Sequence, residues 1–325
     1  SFATISGAGP NGALAQDDSD ALAKQKPVAI VAGAIGDVQI QVGNDDWRKA
    51  YALDLISPMT QLKTGNDGQL IIVYLYDDHR ESLGPNSTGK SDYRGLTNTS
   101  GKYRKEPSRS GGLEYSVPYI TKVKLYQGLF TNASAPNEMK KELDFMSAYV
   151  DVVRFPPIFH WRNAGLNPYR MQIFDEKKQF IYGKAVSQPV YNFPARAPFQ
   201  LTKSGTYYWQ VIGPQDQIIV AQYAFRLLTK VLVKWVAQQE RDFAAAQAKQ
   251  PGDTISFTEM FLVYNHFKTL DKGIHLLQNW AKLEPTNPNV FRYLCRAYIL
   301  KGCPLLAQQA LQQEIKLGGN DPVGP

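Results

Sequence analysis

The spacing of apolar side chains changes once along this chain, and that change constrains the fold more than any other feature. Between Val28 and Thr229, several stretches alternate apolar and polar residues at period two: Asp37–Val42, Gln69–Tyr76, Tyr119–Tyr126, Tyr169–Phe174 and Gly205–Val211. Period two puts successive side chains on opposite faces of a strand. From Lys230 onward helix formers dominate, and Val233, Val236 and Phe243 can share one helical face. The expectation is a multidomain chain, β first and then α.

Turn residues punctuate the β stretches. Gly43–Asp46, Asn66-Asp67-Gly68, Asp77-Asp78 and Leu83–Ser87 fall between them, and Asn66-Asp67-Gly68 is a hairpin signal. Short strands at this spacing imply a small barrel, sandwich or β-roll. Aromatics make up 12% of the chain, with 18 Tyr, and strands accommodate such side chains well. Residues 97–112 are polar and predict a loop or linker. Met139, Leu143, Met146 and Val150 have helical spacing and predict a short helix over 137–150. Pro251-Gly252-Asp253 ends the helix that begins near Lys230.

Few classes of chemistry find their residues here, and no catalytic, cofactor-binding or metal site is expected. His79, His160, His266 and His275 stand outside any metal-ligand spacing, and no nucleophile or phosphate-loop motif is present. The segment GAGPNG near the start follows no strand and is interrupted by proline, so it is not a dinucleotide fingerprint. Asp45-Asp46, Asp77-Asp78 and Glu81 lie in or beside expected turns, where carboxylates bond the backbone. Cys295 and Cys303 are eight residues apart in a helical stretch, a rise of about 12 Å that a disulfide cannot span. They read as small buried side chains. No apolar run reaches the length of a membrane span.

The net charge of +7 is spread over 325 residues and fits solubility better than a nucleic-acid partner, so no nucleic acid is expected. One local cluster stands out. Lys102, Arg104, Lys105 and Arg109, with Lys122 and Lys124, interleave with Tyr93, Tyr103, Tyr115 and Tyr119. The cluster is a candidate site for an anionic polymer; the plainer reading is a solvated loop between strands. Residues 1–27 are small and polar and read as an extended arm. Gly12–Gln16 has the look of a signal-peptidase site. In Ser1–Ser6, Phe2 and Thr4 alternate with Ala3 and Ile5, so Phe2, Thr4 and Ile5 are the candidate assembly arm, able to add as a strand to a sheet edge.

Three family resemblances attach to these residues. The succession Gly36–Ile40, Trp47, Leu62–Gly65, Asp67-Gly68, Asp77-Asp78 and Leu83–Ser87 resembles the FecR-like domain of bacterial envelope proteins over about 60 residues. His79 stands where that pattern has a turn glycine, and Pro58 lies near another. The second β stretch, from Pro156–Trp161 to Gly205–Val211, resembles fibronectin type III and immunoglobulin-like sandwiches, with Trp161 and Tyr207-Tyr208-Trp209 as the packing aromatics. Both cysteines of the antibody-type pair are missing from it. In the tail, a 34-residue period pairs Met260 with Leu294, Tyr264 with Tyr298, Gly273 with Ala307 and Leu277 with Leu311, and resembles the tetratricopeptide repeat. Two repeats fall short of an independent solenoid, so helix 230–250 is expected to act as a third partner or cap.

The expected organisation is therefore an arm at 1–27, a FecR-like β module at 28–135, an immunoglobulin-like sandwich at 136–229, tetratricopeptide-like helices at 230–318 and a tail at 319–325. The resemblances imply a non-catalytic structural or interaction protein of a bacterial envelope, periplasmic or extracellular with its signal peptide removed. Its expected partners are other envelope or surface proteins, copies of itself included. The alternatives are a glycan- or peptidoglycan-binding module using the basic cluster, and an envelope signalling protein of FecR type.

Overall fold

The computed structural model describes residues 26–108, 114–115, 148–152, 156–161, 164–194, 201, 205–301 and 303–319. Contacts divide the chain into two compact units, Ser1–Val117 and Pro118–Pro325. The order is β then α: four antiparallel sheets precede five helices.

Unit 1 holds ten described strands: β1 Ala29–Ile35, β2 Val38–Gln41, β3 Arg48–Lys49, β4 Leu55–Ile56, β5 Gln61–Thr64, β6 Gln69–Tyr74, β7 Arg80–Leu83, β8 Thr88–Asp92, β9 Gly95–Ser100 and β10 Tyr103–Glu106. They form two five-stranded sheets, ordered β10-β7-β6-β1-β4 and β3-β2-β5-β8-β9. The alternation explains the core. Val38 and Ile40 point in while Gln39 and Gln41 stay at the surface, and Leu62, Leu70, Ile72 and Leu83 complete the same cluster. The Asn66-Asp67-Gly68 turn does not close a hairpin within one sheet. It carries the chain from β5 in one sheet to β6 in the other. Backbone crowding forces glycine there: a Cβ on Gly68 would lie 2.2 Å from the Asp37 carbonyl oxygen.

Two expectations in this unit need correction. Residues 97–106 are not a loop, because β9 runs to Ser100 and β10 occupies Tyr103–Glu106. Their polar side chains suit strands with an exposed face, so polarity alone misled. Glu81 is not a turn residue. It lies inside β7 and is 1% exposed.

Unit 2 begins its described part with seven strands. β11 Tyr149–Asp151, β12 Ile158–His160 and β15 Val190–Asn192 make one sheet. β13 Tyr169–Phe174, β14 Phe180–Val186, β16 Thr206–Ile212 and β17 Ile218–Arg226 make the other, in the order β14-β13-β16-β17. Both sheets feed one apolar cluster that includes Val150, Phe159, Trp161, Ile173, Trp209 and Phe225. Phe159 stands edge-on to Trp209 and to Phe225, with ring centroids 5.3 Å apart in each pair. Val150 was expected to end a helix. It is a strand residue paired with Phe159, and the rest of that predicted helix, up to residue 147, lies outside the described residues.

Five helices follow: α1 Lys230–Lys249, α2 Thr254–His266, α3 Leu270–Leu283, α4 Pro288–Lys301 and α5 Pro304–Lys316. Side chains cap three of them, Asn287 accepting from the Asn289 amide at the start of α4. Thr229 accepts from the Leu232 amide at the start of α1, and Asp253 accepts from the Ile255 and Ser256 amides at the start of α2. The 34-residue period is visible in the helix starts, Thr254 against Pro288 and Leu270 against Pro304. Met260, Leu294, Tyr264, Tyr298, Gly273 and Ala307 are all buried. Phe257 packs on Trp280 and Phe261 on Tyr293, at 5.2 and 5.0 Å between ring centroids.

Trp209 is fully buried between the two sheets of unit 2. Trp209→Ala is expected to cost about 3–5 kcal/mol of stability, read from urea unfolding of unit 2; a stability loss under a tenth of that would show that the two sheets do not share this core. Burial, with the charge of Glu314 adding, pushes the Cys295 thiol up to about 12. Cys295 should therefore resist iodoacetamide in the folded protein and react once urea unfolds it, as mass spectrometry will read.

Candidate functional site

Among the described residues of unit 1, a set of interacting polar and aromatic side chains surrounds Glu81. The β6–β7 connection turns tightly at Tyr74–His79, where the Asp78 amide donates to the Tyr74 carbonyl at 3.0 Å and Asp78 takes φ 57°. This turn stacks the His79 ring on Tyr74, with centroids 4.5 Å apart and planes 5° from parallel. It also aims His79 at two carboxylates. Nδ1 lies 2.5 Å from Asp77 Oδ1, and Nε2 lies 3.1 Å from Glu81 Oε1.

The strand register supplies the other partners of Glu81. Lys105 in β10 sits directly opposite Glu81 in β7, and its Nζ is 3.0 Å from Oε1. The Leu96 amide in β9 donates to Oε2 at 2.5 Å, and the Tyr103 hydroxyl donates to the same carboxylate. A buried carboxylate is costly unless donors surround it, and here four groups do so. Gly95 makes the approach of β9 feasible: a Cβ there would lie 2.6 Å from Glu81 Oε1 and 3.2 Å from Lys105 Nζ.

Three tyrosines line the exposed rim of this cluster. The Tyr76 hydroxyl and Lys105 Nζ both donate to the Arg94 carbonyl, each at 3.3 Å. Burial raises the Tyr76 phenol above its ordinary value, and the Asp77 charge adds to the rise. Burial likewise pushes Tyr103 up to about 12, with the Glu81 charge and hydrogen bond adding. Both phenols therefore stay protonated as donors at neutral pH. Tyr93 and Arg94 form the exposed turn between β8 and β9.

The expected basic cluster is divided by strand alternation. Lys105 and Tyr103 share the face of Glu81, while Lys102 and Arg104 fall on the opposite one. Arg104 pairs with Glu106 at 3.3 Å, and Lys105 is held by Glu81, so both β10 cations already face carboxylates. Arg109, Tyr119, Lys122 and Lys124 lie outside the described residues, as do Phe2, Thr4 and Ile5 of the expected arm. Tyr115 is 8% exposed and its amide donates to the Leu75 carbonyl, so it is a packing residue. Sequence reasoning missed Tyr76, His79 and Arg94 as partners of the cluster. Tyr103 read as part of a loop, so no signal in the sequence joined it to Tyr76.

Unit 2 has its own polar seam, where the β sheets meet the helices. The Lys301 ammonium in α4 is fully buried; it contacts Asp271 of α3, donates to the Ala148 carbonyl at 3.0 Å and lies 5.1 Å from the Tyr223 ring centre. Desolvation holds the Asp271 carboxyl above its usual range, against the opposing pull of Lys301. Lys272 reaches Glu240 at 2.7 Å and Asp151 at 3.7 Å. These groups are ties between elements of the fold. Among the described residues, no group of three or more His, Cys, Asp or Glu is placed to hold a metal. A scan against protein-family models and a search of curated proteins give no match for this chain.

Two substitutions probe the cluster. Gly95→Ala should displace Glu81 and lower stability by about 1–3 kcal/mol, visible in urea unfolding; an unchanged midpoint would mean β9 can retreat freely. Glu81→Gln removes the Glu81 charge, one of the three causes that raise Tyr103, so its titration, followed by NMR of labelled tyrosine, should move down from about 12 while burial keeps it above 10.0. A titration that stays in place would remove Glu81 from the account.

Proposed function

We propose that this chain is a non-catalytic structural and interaction protein of a bacterial cell envelope or its surroundings, periplasmic or extracellular, working as a subunit or accessory of a larger assembly. In this reading unit 1 is a FecR-like module. The seven described strands of unit 2 form a fibronectin type III or immunoglobulin-like sandwich, and the helices after them are tetratricopeptide-like. The observation that carries the proposal is the pair of helical hairpins offset by 34 residues, with matched buried positions in each. Such hairpins bury one face against each other and leave another for partners. A second observation agrees: the buried charged groups Glu81, Asp271 and Lys301 are engaged by neighbouring strands and helices, as groups that hold a scaffold together would be.

Leu300 of α4 and Ile315 of α5 are 47% and 63% exposed and mark the helical surface available to partners. In sedimentation of envelope extracts, the chain should migrate with a mass well above its own 36.4 kDa. Leu300→Asp combined with Ile315→Asp should return it to the monomer position with its circular dichroism intact. A wild-type chain that sediments as a free monomer would sink the assembly reading.

A further inference from the structure

We infer that the tyrosine rim of unit 1 is a binding platform for a neutral glycan, a chain of uncharged pyranose rings. Tyr76, Tyr93 and Tyr103 are 39%, 62% and 39% exposed, and every other described tyrosine is buried or half-buried. All three gather at one place. Tyr76 is bonded to the Arg94 carbonyl, Tyr93 precedes Arg94 in the chain, and Lys105, two residues beyond Tyr103 on the same strand face, donates to that carbonyl too.

The chemistry of the rim selects the ligand. The hydroxyls of Tyr76 and Tyr103 are anchored within the fold, so their exposed rings are already ordered before anything binds. Preordering removes an entropic cost of association. Exposed aromatic surface suits the apolar C–H face of a sugar ring, and a few placed polar groups fix its hydroxyls. Those groups are here. The Asp77 side chain is 36% exposed, the Arg94 side chain stands exposed beside Tyr76, and Lys105 keeps a third N–H beyond the two aimed at Glu81 and Arg94.

Charge balance argues against an anionic polymer. Lys105 is offset by Glu81, and Asp77 acts on Tyr76 in opposition to Arg94. Asp92 adds a further exposed carboxylate beside the turn, where it accepts from the Tyr93 amide. A polyanion would meet the exposed carboxylates of Asp77 and Asp92, whereas a ligand with many hydroxyls can use donors and acceptors of both signs.

The site is built from unit 1 residues and the assembly proposal rests on unit 2 residues, so the two stand or fall independently. The test is affinity electrophoresis and calorimetry of the full chain with chitohexaose, cellohexaose and maltohexaose, with polygalacturonate as the charged counterpart. At least one neutral hexasaccharide should bind, and the binding should survive high salt. Tyr76→Ala, Tyr93→Ala and Arg94→Ala should each weaken it by about tenfold, as loss of a stacking or bidentate contact would. Tyr93→Ala is the safeguard should Tyr76→Ala fold poorly, because Tyr93 is the most exposed of the three. Arg104→Ser, on the opposite face of β10, should leave affinity unchanged. The inference is overturned if no neutral hexasaccharide binds. It is equally overturned if only polygalacturonate binds, salt abolishes that binding, and Arg104→Ser weakens it as much as Arg94→Ala.

Discussion

A carboxylate removed from water must be surrounded by donors, and in unit 1 that requirement organises everything near Glu81. Its partners come from the turn before β7, from β9 in the other sheet and from β10 at the sheet edge. Moving any one of these elements strands a charge in a region that excludes water, which costs far more than the attraction of an exposed ion pair. The hairpin at Tyr74–His79, the glycine at position 95 and the register of β10 are consequences of that demand.

The same demand ties unit 2 together by a different route. Lys301 is a long side chain whose ammonium is buried among Asp271, the Ala148 carbonyl and the Tyr223 ring. One residue of α4 thereby touches a helix, the backbone just before β11 and a ring on β17. Tyr264 and Lys272 extend the seam through Glu240 of α1. The first helix after the strands is thus bound to the later helices by charge as well as by apolar packing such as Trp235 on Phe267. The seam explains why sheets and helices form a single compact unit although their sequence periodicities differ.

These two networks shape the functional reading. The charges most hidden from solvent are consumed in holding strands and helices in register. In the proposed function, recognition falls to the surface: the outer positions of the helical hairpins and the exposed tyrosines near Arg94. On the reading proposed above, partners are offered two chemically distinct surfaces, one apolar and one aromatic-polar.

Much of the backbone plan was legible in the sequence. Period-two alternation placed β2, β6, β13 and β16, and the 34-residue period placed both helical hairpins, because side-chain periodicity depends only on local geometry. Position across sheets was not legible. Asn66-Asp67-Gly68 read as a turn and is one, but which sheets it joins depends on where β5 and β6 find partners far along the chain. Residues 97–106 looked like a loop because two edge strands with exposed faces, one in each sheet, carry no apolar pattern. The candidate site was half visible. Tyr93, Tyr103 and Lys105 stood in a noticeable run, but Glu81 looked like one more turn carboxylate. The sequence by itself determined which segments are strands and which are helices, through the local rhythm of apolar side chains. Only the tertiary structure decided which charges meet, because the burial that makes Glu81 and Lys301 demand partners exists only once distant strands and helices have packed around them.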